Sequence, residues 1–214
     1  MIEKYFRAGI RFRWTKPRDA IGLLDGTIVD SREAPTSLIY DGLDGNVLDP
    51  YLRQVHVSSL GLSMHMPIQY AWLDYAPGRT ATLPFGPYDV LTGYMSGCII
   101  AQWSSKGVRY AGHVGTIDSR PDVNRPLKRN FAFAMAKDAR AFNPLAAWPS
   151  HEIEQILTQI NPRPDQRILG LITTSGDFYS ILMASMPNSQ WCAGGIKKVQ
   201  PIHHDELKLM MLRD

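Results

Sequence analysis

The sequence predicts an α+β fold: a β-sandwich of mixed and antiparallel sheets with helices and loops packed outside. Three observations carry this. Short apolar stretches rich in Val, Ile, Thr and aromatic residues recur between turn signals. Pro and Gly, 15 and 17 in number, punctuate all 214 residues, so elements are short. No alternation of strand and helix marks a parallel βαβ sheet. Hydrophobic residues make up 44% and charged residues 20%, the balance of a globular core-forming chain. Residues 1–214 are therefore expected to form a single domain.

The first fifty residues carry turn signals at Lys16-Pro17, Asp25-Gly26, Asp41-Gly42 and Asp44-Gly45-Asn46. Asp25-Gly26 predicts a hairpin between Ile21–Leu24 and Thr27–Val29. Strands are expected at Leu52–Leu60 and Ser63–Leu73, with Pro67 marking an edge or a bulge. Cys98–Trp103 and Val108–Thr116 read as a hairpin around Ser104–Gly107. The Ala-rich stretch Leu127–Phe142 is expected to be helical, ending before Asn143-Pro144. Ser150–Ile160 reads as a helix capped by Ser150. Its residues Ile153, Ile156, Leu157 and Ile160 share one face, and Asn161-Pro162 stops it. Three more strands are expected at Arg167–Thr173, Phe178–Ala184 and Gly195–Ile202.

The net charge of +3 comes without any Lys or Arg block longer than two residues. A nucleic-acid interface needs a clustered basic stripe, so none is expected. Two cysteines, Cys98 and Cys192, do not make a disulfide framework and read as reduced thiols. No apolar run approaches the ~18 residues of a membrane span. The N-terminal segment lacks the apolar region of a signal peptide.

The chemistry is expected in the hairpin. A thiol hydrolase needs an activated cysteine, a base within reach and backbone N–H groups aimed at the oxyanion. Ser96-Gly97 precede Cys98, and Gly97 keeps a side chain off the approach. Counting outward from a four-residue turn at 104–107 sets Trp103 opposite Val108 and Cys98 opposite His113. Their Cβ atoms would then lie ~4.5–5.5 Å apart. A slip of one residue would turn them to opposite faces. Taken singly, a cysteine in an apolar strand is an ordinary core residue; the cross-strand placement is what singles out the pair.

Met95-Ser96-Gly97-Cys98 resembles the Leu-Ser-Gly-Cys signature of the cytotoxic necrotizing factor deamidase domain and of Burkholderia lethal factor. Tyr110-Ala111-Gly112-His113-Val114-Gly115-Thr116 resembles the necrotizing-factor segment around its catalytic histidine, which carries His-Thr-Gly-Thr. The resemblance spans residues 84–118, with Met95 standing where leucine is usual. Thr92 matches a threonine that lethal factor uses as the third member of its site. The necrotizing factors use a backbone carbonyl instead, whose expected source here is Ser63–Met66. Asp118 is a further candidate orienter, or a turn residue.

The resemblance implies a protein glutamine deamidase of toxin or effector type. Cys98 would be the nucleophile and His113 the base, with Thr92 orienting it and the backbone around Ser96, Gly97 and Cys98 holding the oxyanion. No cofactor and no metal are implied. The substrate would be a host protein and the enzyme a monomer. It would be made in a bacterial cytoplasm and exported without a cleavable signal peptide into the host cytosol. Competing readings are another Cys-His enzyme (a transglutaminase, a thiol protease or a chemoreceptor-type deamidase) and a non-catalytic binding module. His203-His204-Asp205-Glu206 lacks zinc-motif spacing and is expected to be a solvated segment. His56 and His65 read as structural or surface residues and Cys192 as packing. Trp72, Trp103 and Trp148 read as core, or as the lining of a substrate groove.

Overall fold

A computed structural model describes residues 1–14, 28–30, 36–43, 66–134, 138–160, 165–186 and 190–213. The strands are β1 (Ile10–Arg13), β2 (Ile28–Asp30), β3 (Thr36–Leu43), β4 (Met66–Leu73), β5 (Thr80–Pro84), β6 (Val90–Gly93) and β7 (Ile99–Ser105). After them come β8 (Val108–Val114), β9 (Arg140–Phe142), β10 (Gln166–Ile172), β11 (Phe178–Ser185), β12 (Gln190–Val199) and β13 (Ile202–His203). The α-helices are α1 (Pro121–Ala134), α2 (Ser150–Ile160) and α3 (His204–Arg213).

Two sheets pack together, as expected, and one of them closes on itself. Seven strands in the order β1-β12-β11-β10-β6-β4-β3 form a closed barrel. The second sheet runs β13-β9-β7-β8-β5-β2. The β2–β5 and β4–β6 pairs are parallel, and the other ladders are antiparallel. The parallel β4–β6 pair exists because the chain leaves the barrel between them to lay β5 into the second sheet.

Side-chain alternation sorts the interior into three layers. On β10, Leu169 and Leu171 point into the barrel beside Phe12, Trp14, Tyr70 and Trp72. Ile168 and Ile172 point out, to the layer shared with the second sheet. Ile100, Ala111 and Phe142 answer them from the sheet, and α2 adds Ile153, Ile156 and Leu157. Gly170 admits this approach, because a Cβ there would lie 2.5 Å from the Ile100 side chain. The far face of the sheet carries Ile99, Ala101, Trp103 and Val114 beneath Leu127 and Phe131 of α1 and Leu207 of α3. Each aliphatic side chain buried in this way contributes roughly 1.5–3 kcal/mol of transfer free energy.

The second hairpin forms with a shorter turn than expected. Lys106 and Gly107 both have positive φ, 50° and 77°, as a two-residue type I′ turn requires. Ser105 therefore pairs with Val108, and every pair inward shifts by two residues from the count that opposes Trp103 and Val108.

The helix expected over Leu127–Phe142 lies earlier. It starts at Pro121, a residue suited to a first helical position, and runs through Pro126 to Ala134. Residues 140–142 are instead β9, pairing with β7 and β13. Ser150–Ile160 is helical as read. However, Glu152 and Ile153 donate to the Pro149 carbonyl, so the boundary falls one residue before Ser150. Pro67 pairs with Ile39 where, among the described residues, only β3 adjoins β4, since β6 meets β4 at Ala71–Leu73. Its missing N–H thus costs no bond to β6. The hairpin expected around Asp25-Gly26, the strand at Leu52–Leu60, and His56 and His65 lie outside the described residues, apart from β2. That strand pairs in parallel with β5.

Candidate active site

The turn 94–97 carries the chain from the barrel (β6) to the second sheet (β7). It is pinned at both ends of its short span. Met95 N–H donates to the Ile168 carbonyl at 2.9 Å, and its side chain is buried between the sheets. The exposed Ser96 hydroxyl donates to the Asp118 carboxylate at 2.8 Å, joining this turn to the one after β8. Cys98 emerges just before β7, 1% exposed, on the same face as Ile100.

His113 lies in the middle of the second sheet, flanked by Ala81 of β5 and Ile100 of β7. It is fully buried and points toward the barrel, like Ala111 two residues earlier. Thr92, at the end of β6, faces it from the barrel wall. The Thr92 Oγ1 lies 2.7 Å from His113 Nδ1, and its hydroxyl donates to the Leu73 carbonyl, also at 2.7 Å. A hydroxyl has one proton to give. With that proton on Leu73, the ring donates from Nδ1, and in the neutral imidazole the lone pair lies on Nε2. The Tyr75 ring packs at 5.4 Å from the imidazole, and its hydroxyl donates to the Thr116 carbonyl at 2.8 Å.

Cys98 and His113 share a face but are not directly opposed. Ile100 pairs with His113, which places Cys98 one diagonal step away. Diagonal neighbours lie roughly 7 Å apart at Cβ, a gap that an imidazole and a Cβ–S bond can span. The Cys98 thiol is instead held by Thr116. The Thr116 hydroxyl donates to Sγ at 3.5 Å, and Sγ lies 3.9 Å from the Thr116 carbonyl. Burial pushes the Cys98 thiol above its ordinary value. The Thr116 side chain and the backbones of Thr116 and Gly97 pull it back, and Asp118 adds a small push upward.

Thr92, among the candidate orienters, is the one the structure sets against His113. Asp118 takes the Ser96 hydroxyl and lies in a turn. The backbone carbonyl in this chain of contacts is that of Leu73, at the far end of β4, and it reaches the ring through Thr92. Ser63–His65 lie outside the described residues, and Met66 begins β4 at its opposite end. An added Cβ on Gly97 would meet the Thr116 hydroxyl at 3.4 Å and no other atom of the described residues within 4 Å.

Trp72, Trp103 and Trp148 are all buried core residues. Cys192 is a buried free thiol on β12, pushed up to about 11 by burial. His204 departs from the expected solvated segment. It is 2% exposed at the start of α3, with Nε2 at 3.0 Å from the Ala132 carbonyl. No group of three or more His, Cys, Asp or Glu residues among the described residues could hold a metal. No described helix is long and apolar enough to cross a membrane.

Sequence reasoning missed the roles of Leu73, Tyr75 and Thr116. Thr116 was within view as the last residue of His-x-Gly-Thr, whereas Leu73 and Tyr75 carry no local signal. Comparisons of the chain with models of known families, with curated proteins and with solved structures find no match.

Proposed function

We propose that the protein is a protein glutamine deamidase in which Cys98 is the nucleophile and His113 its base. The observation that carries this reading is the chain of contacts His113–Thr92–Leu73. It turns the lone pair of Nε2 outward from Thr92, on the sheet face that also carries Cys98. A histidine that only filled space would gain nothing from a fixed tautomer, whereas a base requires one.

His113 Nε2 takes the Cys98 proton, and the thiolate attacks the carboxamide carbon of a glutamine side chain. Backbone N–H groups at Gly97 and Cys98 receive the oxyanion. The C–N bond breaks, and ammonia leaves with the proton returned by His113. Water, deprotonated by His113, attacks the thioester, and the C–S bond breaks to give glutamate and the free thiol. Cys98 is 1% and His113 0% exposed, so this reading requires the surrounding residues to shift before a carboxamide reaches the sulfur. The substrate in this reading is a protein of a host cell, to which the conversion adds one negative charge.

The test is peptide mass spectrometry of cell extract treated with wild-type protein or with Cys98→Ser. A gain of ~1 Da on a defined glutamine with wild type alone is expected. Addition of a primary amine separates the neighbouring chemistry, since coupling of the amine to that glutamine would show transglutamination. Absence of any wild-type-dependent site would remove the deamidase reading.

A further inference from the structure

Thr116 stands in an unusual position for a buried hydroxyl. It is 5% exposed, and its hydrogen-bond partner among the described residues is a sulfur, the Cys98 Sγ at 3.5 Å. The backbone is built to bring it there. β8 ends at Val114, and the Thr116 N–H folds back onto the Val114 carbonyl at 3.1 Å. Gly115 sits against the 76–79 turn, donating to the Arg79 carbonyl at 2.8 Å and accepting from Gly78 N–H at 2.7 Å. A Cβ at Gly115 would lie 2.2 Å from the Ala76 carbonyl oxygen, so a glycine alone permits this approach. Tyr75 then fixes the Thr116 carbonyl. Two contacts on Gly115 and two on Thr116 thus hold in place the residue whose hydroxyl points at the sulfur.

We propose that Thr116 is the positioning residue of Cys98, its hydroxyl donating to Sγ so as to hold the sulfur in place and favour the thiolate over the thiol. The proposal rests on Cys98 being the nucleophile. A thiol accepts such a bond weakly and a thiolate strongly, so the hydroxyl stabilises the form that attacks. No proton leaves Thr116 in this step. The proton of Cys98 goes to His113, and the Thr116 hydroxyl keeps its own while the charge develops beside it. The residue acts through Cys98 and does not itself touch the reacting carbonyl. His113 and Thr116 divide the work: one receives the proton, the other stabilises the charge left behind.

The test is a pH titration of the Cys98 thiolate, followed by its ultraviolet absorbance in a Cys192→Ala background. The spectrum of the protein lacking both thiols is subtracted. Thr116→Val removes the hydroxyl and keeps the shape; Thr116→Ser keeps the hydroxyl. Thr116→Val is expected to move the midpoint to higher pH by about one unit, a tenfold loss of thiolate at a fixed pH below the midpoint. Thr116→Ser is expected to stay near the parent. Should Thr116→Val lose its native near-ultraviolet circular dichroism, Thr116→Ala supplies the same deletion. An unmoved midpoint in the folded deletion variant, or equal shifts for it and for Thr116→Ser, would overturn the proposal. The titration uses no substrate. A normal Thr116 effect without glutamine conversion would therefore fault the deamidase reading alone, and conversion without the effect would fault the proposal alone.

Discussion

A buried imidazole takes its tautomer from the partner of one ring nitrogen. For His113 that partner is a hydroxyl already committed to a carbonyl, so the order of donors runs Nδ1–H to Thr92 and Thr92 to Leu73. Thr92→Val keeps the shape and leaves a buried N–H and a buried carbonyl without this link, which costs about 1–3 kcal/mol of stability. The proposed deamidation is expected to fall by about tenfold or more in that variant, with Thr92→Ser near wild type. Equal rates in Thr92→Val and wild type, measured by ammonia release, would remove Thr92 from the site. Cys192 offers a contrast, a thiol buried away from any such arrangement. Its ordinary value of 9.0 rises to about 11 in the folded chain. The neutral thiol therefore contributes stability in full below pH 9, and that contribution is lost as pH rises through 9 to 11. The two-unit shift corresponds to roughly 2–3 kcal/mol. Denaturant unfolding at pH 8 and pH 11 should show a smaller drop for Cys192→Ala than for wild type, and an identical drop would contradict this.

Among the elements, the β7–β8 hairpin decides the geometry of the site. Its alternation was legible in the sequence, and so was the shared face of Cys98 and His113. The pairing was not, because Ser104–Gly107 admits both a four-residue and a two-residue turn. Only the positive φ of both Lys106 and Gly107 selects the shorter one. The change is two residues, so both side chains keep their face and move from opposed to diagonal. The start of α1 was hidden by Pro126, which reads as a helix boundary yet stands inside the helix. β9 was absorbed into the same Ala-rich stretch because three residues give no period. Gly115 carries the element-scale prediction. Gly115→Ala places a Cβ 2.2 Å from a backbone oxygen that cannot swing away. It should lower stability by about 1–3 kcal/mol and disturb Thr116 with it. Wild-type thermal unfolding in that variant would show that the turn at 76–79 yields.

Across the whole molecule, the site exists because a barrel and a sheet meet. Thr92 comes from the barrel wall, whereas Cys98 and His113 come from the sheet laid against it. Strand content and mixed pairing could be read from the sequence, but closure could not. The closing ladders join β1 to β12 and to β3, partners far apart along the chain, and periodicity names strands without naming their neighbours. Whether this meeting of sheets performs hydrolysis is most directly tested in heavy-oxygen water. In the proposed mechanism water resolves a Cys98 thioester and leaves one oxygen in the product, so a target glutamine treated with wild-type protein should gain ~1 Da in ordinary water and ~3 Da in heavy-oxygen water. Cys98→Ser and His113→Ala, both folded, should give neither. Conversion of the same glutamine by either variant at the wild-type rate would contradict the account.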